Sequence, residues 1–228
     1  MKIGALQKIS LIDYPGRISA IVFTQGCNFR CPYCHNPELV DPCQYGPLLP
    51  EEEVFSFLER RRGKLEAVTV TGGEPTLQTD LEQFLQQIKE MGYLAKIDTN
   101  GSNPTMLERL IRGRWVDYLA MDVKGPLHKY GQIAKAKVET AKILRSIELI
   151  ASSKIEHEFR TTVVRSQLDP EDLSATAKLL KRGLYVLQSF VPAKSLDHEF
   201  LTERSYSPKE FADIQKNLES NRLRVFIR

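Results

Sequence analysis

Three of the four cysteines lie within eight residues of one another, at Cys27, Cys31 and Cys34. Thiolates at this Cys-x3-Cys-x2-Cys spacing usually share a metal. A structural zinc site takes four ligands, normally from two separated pairs, and the sequence has no second pair. An iron–sulfur cube on three thiolates instead leaves one iron open for chemistry. Two alternatives stay open here: zinc with His35 or Cys43 as fourth ligand, and a reduced cysteine cluster without metal.

Composition narrows the class of protein. The chain has 228 residues, of which 42% are hydrophobic, enough to bury one sizeable core. Its 32 Lys and Arg residues nearly balance 29 Asp and Glu residues, which argues against a nucleic-acid or membrane partner. Residues 1–10 lack the apolar core of a signal peptide, and no stretch approaches the roughly 18 apolar residues of a membrane span. We therefore expect a cytoplasmic protein whose clustered cysteines bind metal rather than form disulfides.

Short apolar runs alternate with amphipathic segments along the chain. The runs are rich in Val, Ile, Phe and Thr and predict six strands, over 18–24, 67–71, 93–97, 118–123, 157–164 and 184–191. The intervening segments predict helices over 50–62, 80–91, 104–112, 134–152 and 170–181. Asn103 and Asp169 each precede a proline and are placed to cap the helix that follows. The tail predicts a last helix over 208–218 and a last strand over 223–227.

Six βα repeats in this order predict a parallel sheet with right-handed crossovers. A complete eight-fold barrel takes about 250 residues, so six strands favour an α/β fold of the open, partial (β/α)6 barrel type. Active sites of such barrels lie at the carboxyl ends of the strands. Four polar motifs follow the first four predicted strands in turn: the cysteine loop, 71–75, 98–101 and 122–125. We expect these four loops to converge on one site.

The motifs also have chemical content of their own. Thr71-Gly72-Gly73-Glu74-Pro75 fits a tight strand-to-helix turn, but its glycines also let a ligand approach the backbone. Glu74 offers an acceptor for a ligand ammonium. Asp98-Thr99-Asn100-Gly101 is not expected to form an Asn-Gly hairpin turn, because a helix start follows it. Arg160 lies in an apolar strand and therefore needs an acidic partner or an anionic ligand.

The cysteine motif and the Gly-Gly-Glu segment together resemble the radical S-adenosylmethionine (SAM) superfamily. The resemblance implies a [4Fe-4S] cluster on the three cysteines, with SAM chelating the fourth iron and its amino group bound by Gly72, Gly73 and Glu74. An aromatic residue before the third cysteine, here Tyr33, would lie near the adenine. The resemblance also implies one radical SAM domain over residues 1–228, with a core at about 17–192 and a C-terminal helix and strand at 193–228.

The Asp-Thr-Asn-Gly and Asp-x-Lys segments resemble those of pyruvate formate-lyase activating enzymes. That resemblance implies a monovalent cation beside the SAM carboxylate, near Asp98, Thr99 and Asp122. Oxygen ligands of this kind suit a hard cation. Arg160 would contact the SAM carboxylate or ribose, with a structural salt bridge as the alternative. The cofactor-binding set predicted in these segments is completed by Asn100 and Lys124.

Longer stretches resemble the anaerobic ribonucleoside-triphosphate reductase activating proteins. These are Ile12-Asp13-Tyr14-Pro15-Gly16, the cysteine loop, and the stretches at 121–127, 158–164 and 186–192. The resemblance implies reductive SAM cleavage, a glycyl radical enzyme as protein substrate, and a flavodoxin- or ferredoxin-type electron donor. Pyruvate formate-lyase activating enzymes carry a histidine near the sixth strand end, where this chain has Phe190-Val191. Alternatives are a small-molecule enzyme such as 7-carboxy-7-deazaguanine synthase, and a non-enzymatic metal-stabilised binding protein.

Overall fold

The computed structural model describes residues 1–180, 182–219 and 223–228. Within these residues eight strands form one sheet in chain order: β1 Ile3–Ser10, β2 Ser19–Thr24, β3 Ala67–Gly72, β4 Leu94–Thr99, β5 Tyr118–Asp122, β6 Glu156–Val163, β7 Gly183–Ser189 and β8 Leu223–Ile227. Strands β2 to β8 are parallel to their neighbours, and β1 is antiparallel to β2. All six predicted strands and the predicted tail strand are present. No pairing joins β1 to β8 in the described ranges, so the sheet is open as predicted.

The helices of the described residues follow the strands along the chain: α1 Pro37–Val40, α2 Glu51–Arg60, α3 Leu81–Glu90, α4 Pro104–Gly113, α5 Tyr130–Ala134, α6 Thr140–Ser152, α7 Pro170–Leu180 and α8 Pro208–Leu218. Short 3-10 turns lie at Pro42–Gln44, Pro75–Leu77 and His198–Thr202. The predicted caps are confirmed, since Asn103 accepts from the Met106 amide and Asp169 from the Asp172 amide. The predicted end of α7 at residue 181 lies outside the described residues. No described helix is long and apolar enough to cross a bilayer.

The prediction of one helix over 134–152 is wrong at its start. Ala134 ends α5, Lys135 adopts a left-handed conformation with φ +46°, and α6 begins only at Thr140. A left-handed residue cannot continue a right-handed helix. The Ala134 carbonyl instead accepts a hydrogen bond of 2.8 Å from the Arg30 amide in the cysteine loop. The break in the helix therefore supports the site.

Strand β1 has no counterpart among the predicted strands. Apart from its buried ends, Ile3 and Ser10, it is half-buried or exposed, because it is the edge of the sheet. Its sequence consequently shows neither an apolar run nor regular alternation. The connection from β1 to β2 places Tyr14 at the amino ends of the parallel strands, where its ring packs 5.7 Å from that of Tyr118. Tyr14 is 4% exposed and closes the end of the barrel opposite the cysteine loop.

Candidate active site

One cleft at the carboxyl ends of the strands collects every residue that the sequence predicts for the site. The space between its protein atoms, with the solvent at its mouth included, is about 830 Å³. The predicted metal and cofactor residues that line it are Cys27, Cys31, Tyr33, Cys34, Gly72, Gly73, Glu74, Asp98, Thr99, Asn100, Asp122, Lys124 and Arg160. The expected convergence of the strand-end loops is thus confirmed.

The three motif cysteines differ from the fourth in burial. Cys31 is buried, Cys27 and Cys34 are half-buried, and Cys43 is exposed. Burial raises the pKa of the Cys27 thiol to about 12 and raises the pKa values of the Cys31 and Cys34 thiols as well. Metal-free thiols are therefore neutral at physiological pH, whereas metal binding requires thiolates. Lys124 lowers these pKa values without offsetting burial, so binding of a positively charged metal centre would be coupled to loss of the thiol protons.

The two alternative fourth ligands for zinc lie in different surroundings: Cys43 is exposed and does not line the cleft, whereas His35 lines it. A ring nitrogen of His35 lies 3.0 Å from the Val191 carbonyl, and the ring stacks on Phe190 at 5.6 Å. Among the described residues no three His, Cys, Asp or Glu side chains approach one another closely enough to hold a single metal ion. Three clustered thiols without a fourth protein ligand in these residues match the donor set of an iron–sulfur cluster.

The two glycines after β3 seat the cysteine loop. Gly72 has a φ of +109°, and a Cβ there would come within 2.6 Å of the Thr24 backbone. A Cβ on Gly73 would lie 2.1 Å from the Gly26 carbonyl oxygen. The Glu74 amide donates to that same oxygen at 2.8 Å. Close approach of two backbones, in addition to any approach by a ligand, accounts for the glycine pair.

Glu74 ties the loop after β3 to the loop after β4. Its side chain is 1% exposed and accepts hydrogen bonds from the Thr76 amide and hydroxyl, from the Thr99 hydroxyl at 2.7 Å, and from the Asn100 amide at 2.6 Å. Three of these donors share Oε1 and one donates to Oε2, so the carboxylate keeps acceptor capacity on Oε2. Burial nevertheless raises the pKa of Glu74. Its predicted contact with a ligand ammonium stays a prediction, and Oε2, which accepts one hydrogen bond from the described residues, is the oxygen with room for that contact.

Arg160 has two acidic partners at the base of the cleft. Its Nε donates to Asp122 at 2.9 Å and its Nη1 to Asp98 at 3.2 Å, while Lys124 Nζ lies 3.1 Å from the other Asp122 oxygen. Burial opposes charge on Arg160, but the carboxylates outweigh it and raise the pKa of the guanidinium. Burial likewise opposes ionisation of Asp122, yet Arg160 and Lys124 hold its pKa well below the usual range. These groups are therefore fully charged.

Lys96 completes this network, although it is not among the site residues predicted from the sequence. It lies on β4, is 2% exposed, and forms an ion pair with Asp98. The signal that would have found it is the one used for Arg160, a charged residue inside an apolar strand. Its position two residues before Asp98 on a strand also puts both side chains on one face of the sheet.

Aromatic side chains support the cysteine loop from both sides. Phe29 is 3% exposed and packs edge-on against Tyr130, with ring centres 6.4 Å apart. Tyr33 is buried between Phe190, at 6.5 Å, and the Lys124 ammonium, 5.9 Å from its ring centre. Phe190 follows β7 at the place where pyruvate formate-lyase activating enzymes carry a histidine. Its ring therefore packs against the cysteine loop.

The model of the Radical SAM superfamily matches residues 21–180. The chain belongs to the radical SAM superfamily. A Methanocaldococcus jannaschii protein, named as a candidate glycyl-radical enzyme activating enzyme, is 37% identical over 214 residues, covering 91% of this chain and 87% of that protein. This likeness puts the chain in the family of glycyl-radical enzyme activating enzymes. Membership of the superfamily implies a [4Fe-4S] cluster and SAM.

Other known proteins share parts of this likeness. The pyruvate formate-lyase-activating enzyme of Clostridium pasteurianum is 34% identical over 128 residues, 54% of this chain and 53% of that enzyme. Streptococcus suis SuiB, solved with S-adenosylmethionine bound, has a TM-score of 0.68 at 13% identity. The match covers 91% of this chain and 51% of SuiB. It shows that the two proteins share the α/β fold.

Proposed function

We propose that this chain is a radical SAM activase that generates a glycyl radical on a partner enzyme, with an anaerobic ribonucleoside-triphosphate reductase as first candidate. The observation that carries the proposal is the single cleft in which the cysteine loop meets three further strand-end motifs. The likeness to an activating enzyme over nearly the whole chain supports the reaction type. We place the protein in the cytoplasm, with electrons supplied by a flavodoxin- or ferredoxin-type donor.

The residues of the cleft fit the cofactors that the superfamily uses. Cys27, Cys31 and Cys34 would hold three irons of the cluster and leave the fourth for SAM. When bound, the cluster would pass one electron to SAM, giving methionine and a 5′-deoxyadenosyl radical that takes hydrogen from the partner's glycine. The chain's own contribution is to orient SAM and to exclude water from the reacting centre.

The other cleft residues suit particular parts of SAM. Lys124 presents an ammonium beside the Tyr33 ring in the cleft. The ammonium suits a contact with the SAM carboxylate, and the ring suits a contact with the adenine. Glu74 and Asn100 keep the glycine-rich loop and the loop after β4 at a fixed distance. The predicted monovalent cation near Asp98, Thr99 and Asp122 is not part of the proposal, because protein cations already bind both carboxylates.

The test begins with anaerobic reconstitution of the full chain. We expect one four-iron cluster per chain and, with a reductant and SAM, release of 5′-deoxyadenosine. Addition of a glycyl radical enzyme from the same organism should give the glycyl doublet in electron paramagnetic resonance. Cys27→Ala should abolish the cluster, the release of 5′-deoxyadenosine and the doublet. Cys43→Ala, which changes an exposed cysteine outside the cleft, should retain all three.

Two results would redirect the assignment. SAM cleavage with turnover of a free purine-like compound, and no doublet with any glycyl radical enzyme of the organism, would indicate the 7-carboxy-7-deazaguanine synthase type. Stoichiometric zinc with no iron uptake would indicate a metal-stabilised binding protein.

A further inference from the structure

Lys96 is a buried lysine to which neither the family motifs nor the proposed function gives a role. It projects from β4 toward Asp98, and its ammonium lies 5.9 Å from the centre of the Tyr118 ring. In the described part of the chain, its one hydrogen-bonding partner is Asp98. Burying an ammonium is costly unless a counter-charge is close, so the ion pair with Asp98 is what keeps Lys96 inside the sheet.

Each oxygen of the two carboxylates beneath the cleft accepts a hydrogen bond from a protein cation. Asp98 receives Lys96 on one oxygen and Arg160 on the other. Asp122 receives Arg160 on one oxygen and Lys124 on the other. Three described cations therefore face two carboxylates, and all four oxygens accept a nitrogen donor. Arg160 also lies 3.8 Å from Glu158, which Arg228 approaches to 3.4 Å.

The three positive charges of this arrangement disfavour a metal cation at the carboxylates. A cation near Asp98 and Asp122 would have to share oxygens that already accept nitrogen donors, and it would lie beside three positive charges. The hydroxyl of Thr99, the remaining predicted ligand, donates to Glu74 at 2.7 Å and accepts from the Gly101 amide at 3.1 Å. The ammonium of Lys96 thus supplies to Asp98 the positive charge that a bound ion would supply.

We propose that the Lys96 ammonium replaces a monovalent metal cation beneath the SAM site, so that this chain binds SAM without potassium or sodium. Lys96 is then a positioning residue: it fixes Asp98, which fixes Arg160 at the cleft. The claim that SAM binds without a metal cation rests on the proposed function. The claim that Lys96 replaces a cation at Asp98 and Asp122 rests only on the described contacts.

The first arm of the test needs neither SAM nor catalysis. The full chain, purified anaerobically, is melted in choline, sodium, potassium and ammonium chloride at equal ionic strength. Wild type should melt at one temperature in all four salts. Lys96→Met keeps the length of the side chain but removes its charge, so it should melt lower in choline and recover in potassium or ammonium, whose ions can enter the vacated space.

The second arm measures SAM affinity by titration of the reconstituted protein in the same salts. The wild-type Kd should change by less than about twofold, whereas Lys96→Met should bind SAM at least tenfold more weakly in choline and recover in potassium or ammonium chloride. Lys89→Met is the matched control, because Lys89 pairs with Asp117 at 2.6 Å, away from the cleft. It should show no dependence on the cation in either arm.

A wild-type SAM affinity that falls tenfold in choline would overturn the proposal, since it would show that a metal cation is needed. A Lys96→Met protein that is weakened equally in all salts would also overturn it, because Lys96 would then be structural only. Should Lys96→Met not fold, Lys96→Gln replaces it, and the wild-type comparison decides by itself. Absence of SAM binding under every condition would refute the proposed function, while the melting arm would still test Lys96.

Discussion

Replacing Gly73 with Ala tests how the cysteine loop is seated on β3. The added Cβ would lie 2.1 Å from the carbonyl oxygen of Gly26, and ordinary contact begins at 3.4 Å. The two segments would therefore have to separate by about 1.3 Å, the difference between these distances. No rotation of a side chain can relieve the clash, because the obstructing atom belongs to the backbone.

The cost follows from what joins the two segments. The Glu74 amide donates to Gly26 and the Gly73 amide to Thr24, each at 2.8 Å, and a separation of this size would break one or both bonds. Each lost hydrogen bond costs about 1 kcal/mol, and overpacking of a tight site costs about 1–3 kcal/mol. We expect Gly73→Ala to lower the free energy of unfolding by about 2–5 kcal/mol.

Denaturant titration of the full chain and iron content after reconstitution provide the two measurements. Gly46→Ala is the matched control, because Gly46 lies in open space and its φ is not positive. The control should change the free energy of unfolding by less than about 0.5 kcal/mol and take up normal iron. If Gly73→Ala behaved like Gly46→Ala in both assays, the argument for backbone contact would be refuted.

Iron per chain should fall to background when any one ligand thiol is replaced by Ala, which applies to Cys27, Cys31 and Cys34. Glu74→Gln should retain iron but, in a denaturant titration, lose about 1–3 kcal/mol of stability, because an amide has one acceptor oxygen instead of two; unchanged stability would contradict this. Asp98 and Asp122 have lower pKa values folded than unfolded, so the unfolded chain takes up protons first and stability should fall as pH drops below about 4. Urea titrations between pH 7 and 3 measure that fall, which Asp98→Asn should reduce.

The site could be predicted from the sequence because of one topological rule. Parallel strands end at the same edge of a sheet, so motifs after successive strands meet even when they are far apart in the chain. Cys27 and Arg160 are thus brought to one cleft from opposite halves of the matched region. The strands themselves were predictable because buried parallel strands form nearly continuous apolar runs.

The features that were not predicted from the sequence depend on contacts between residues that are far apart in the chain. Strand β1 gives no pattern because its pairing, and not its burial, makes it a strand. The break after α5 reflects a hydrogen bond from Arg30, more than a hundred residues away. The four acceptor bonds of Glu74 come from residues on two loops, so its role as a cross-link was invisible in the Gly-Gly-Glu motif.

The charged network also fixes the alignment of the strands that carry it. Asp122 on β5 and Arg160 on β6 are direct register partners, and their side chains bond on the inner face of the sheet. A slip of one residue would turn Arg160 toward the apolar outer face, where the helices pack, and would leave both carboxylates short of a partner. The same ion pairs that present charge to the cleft therefore exclude the neighbouring register. The chemistry of the site and the specification of the fold depend on one set of side chains.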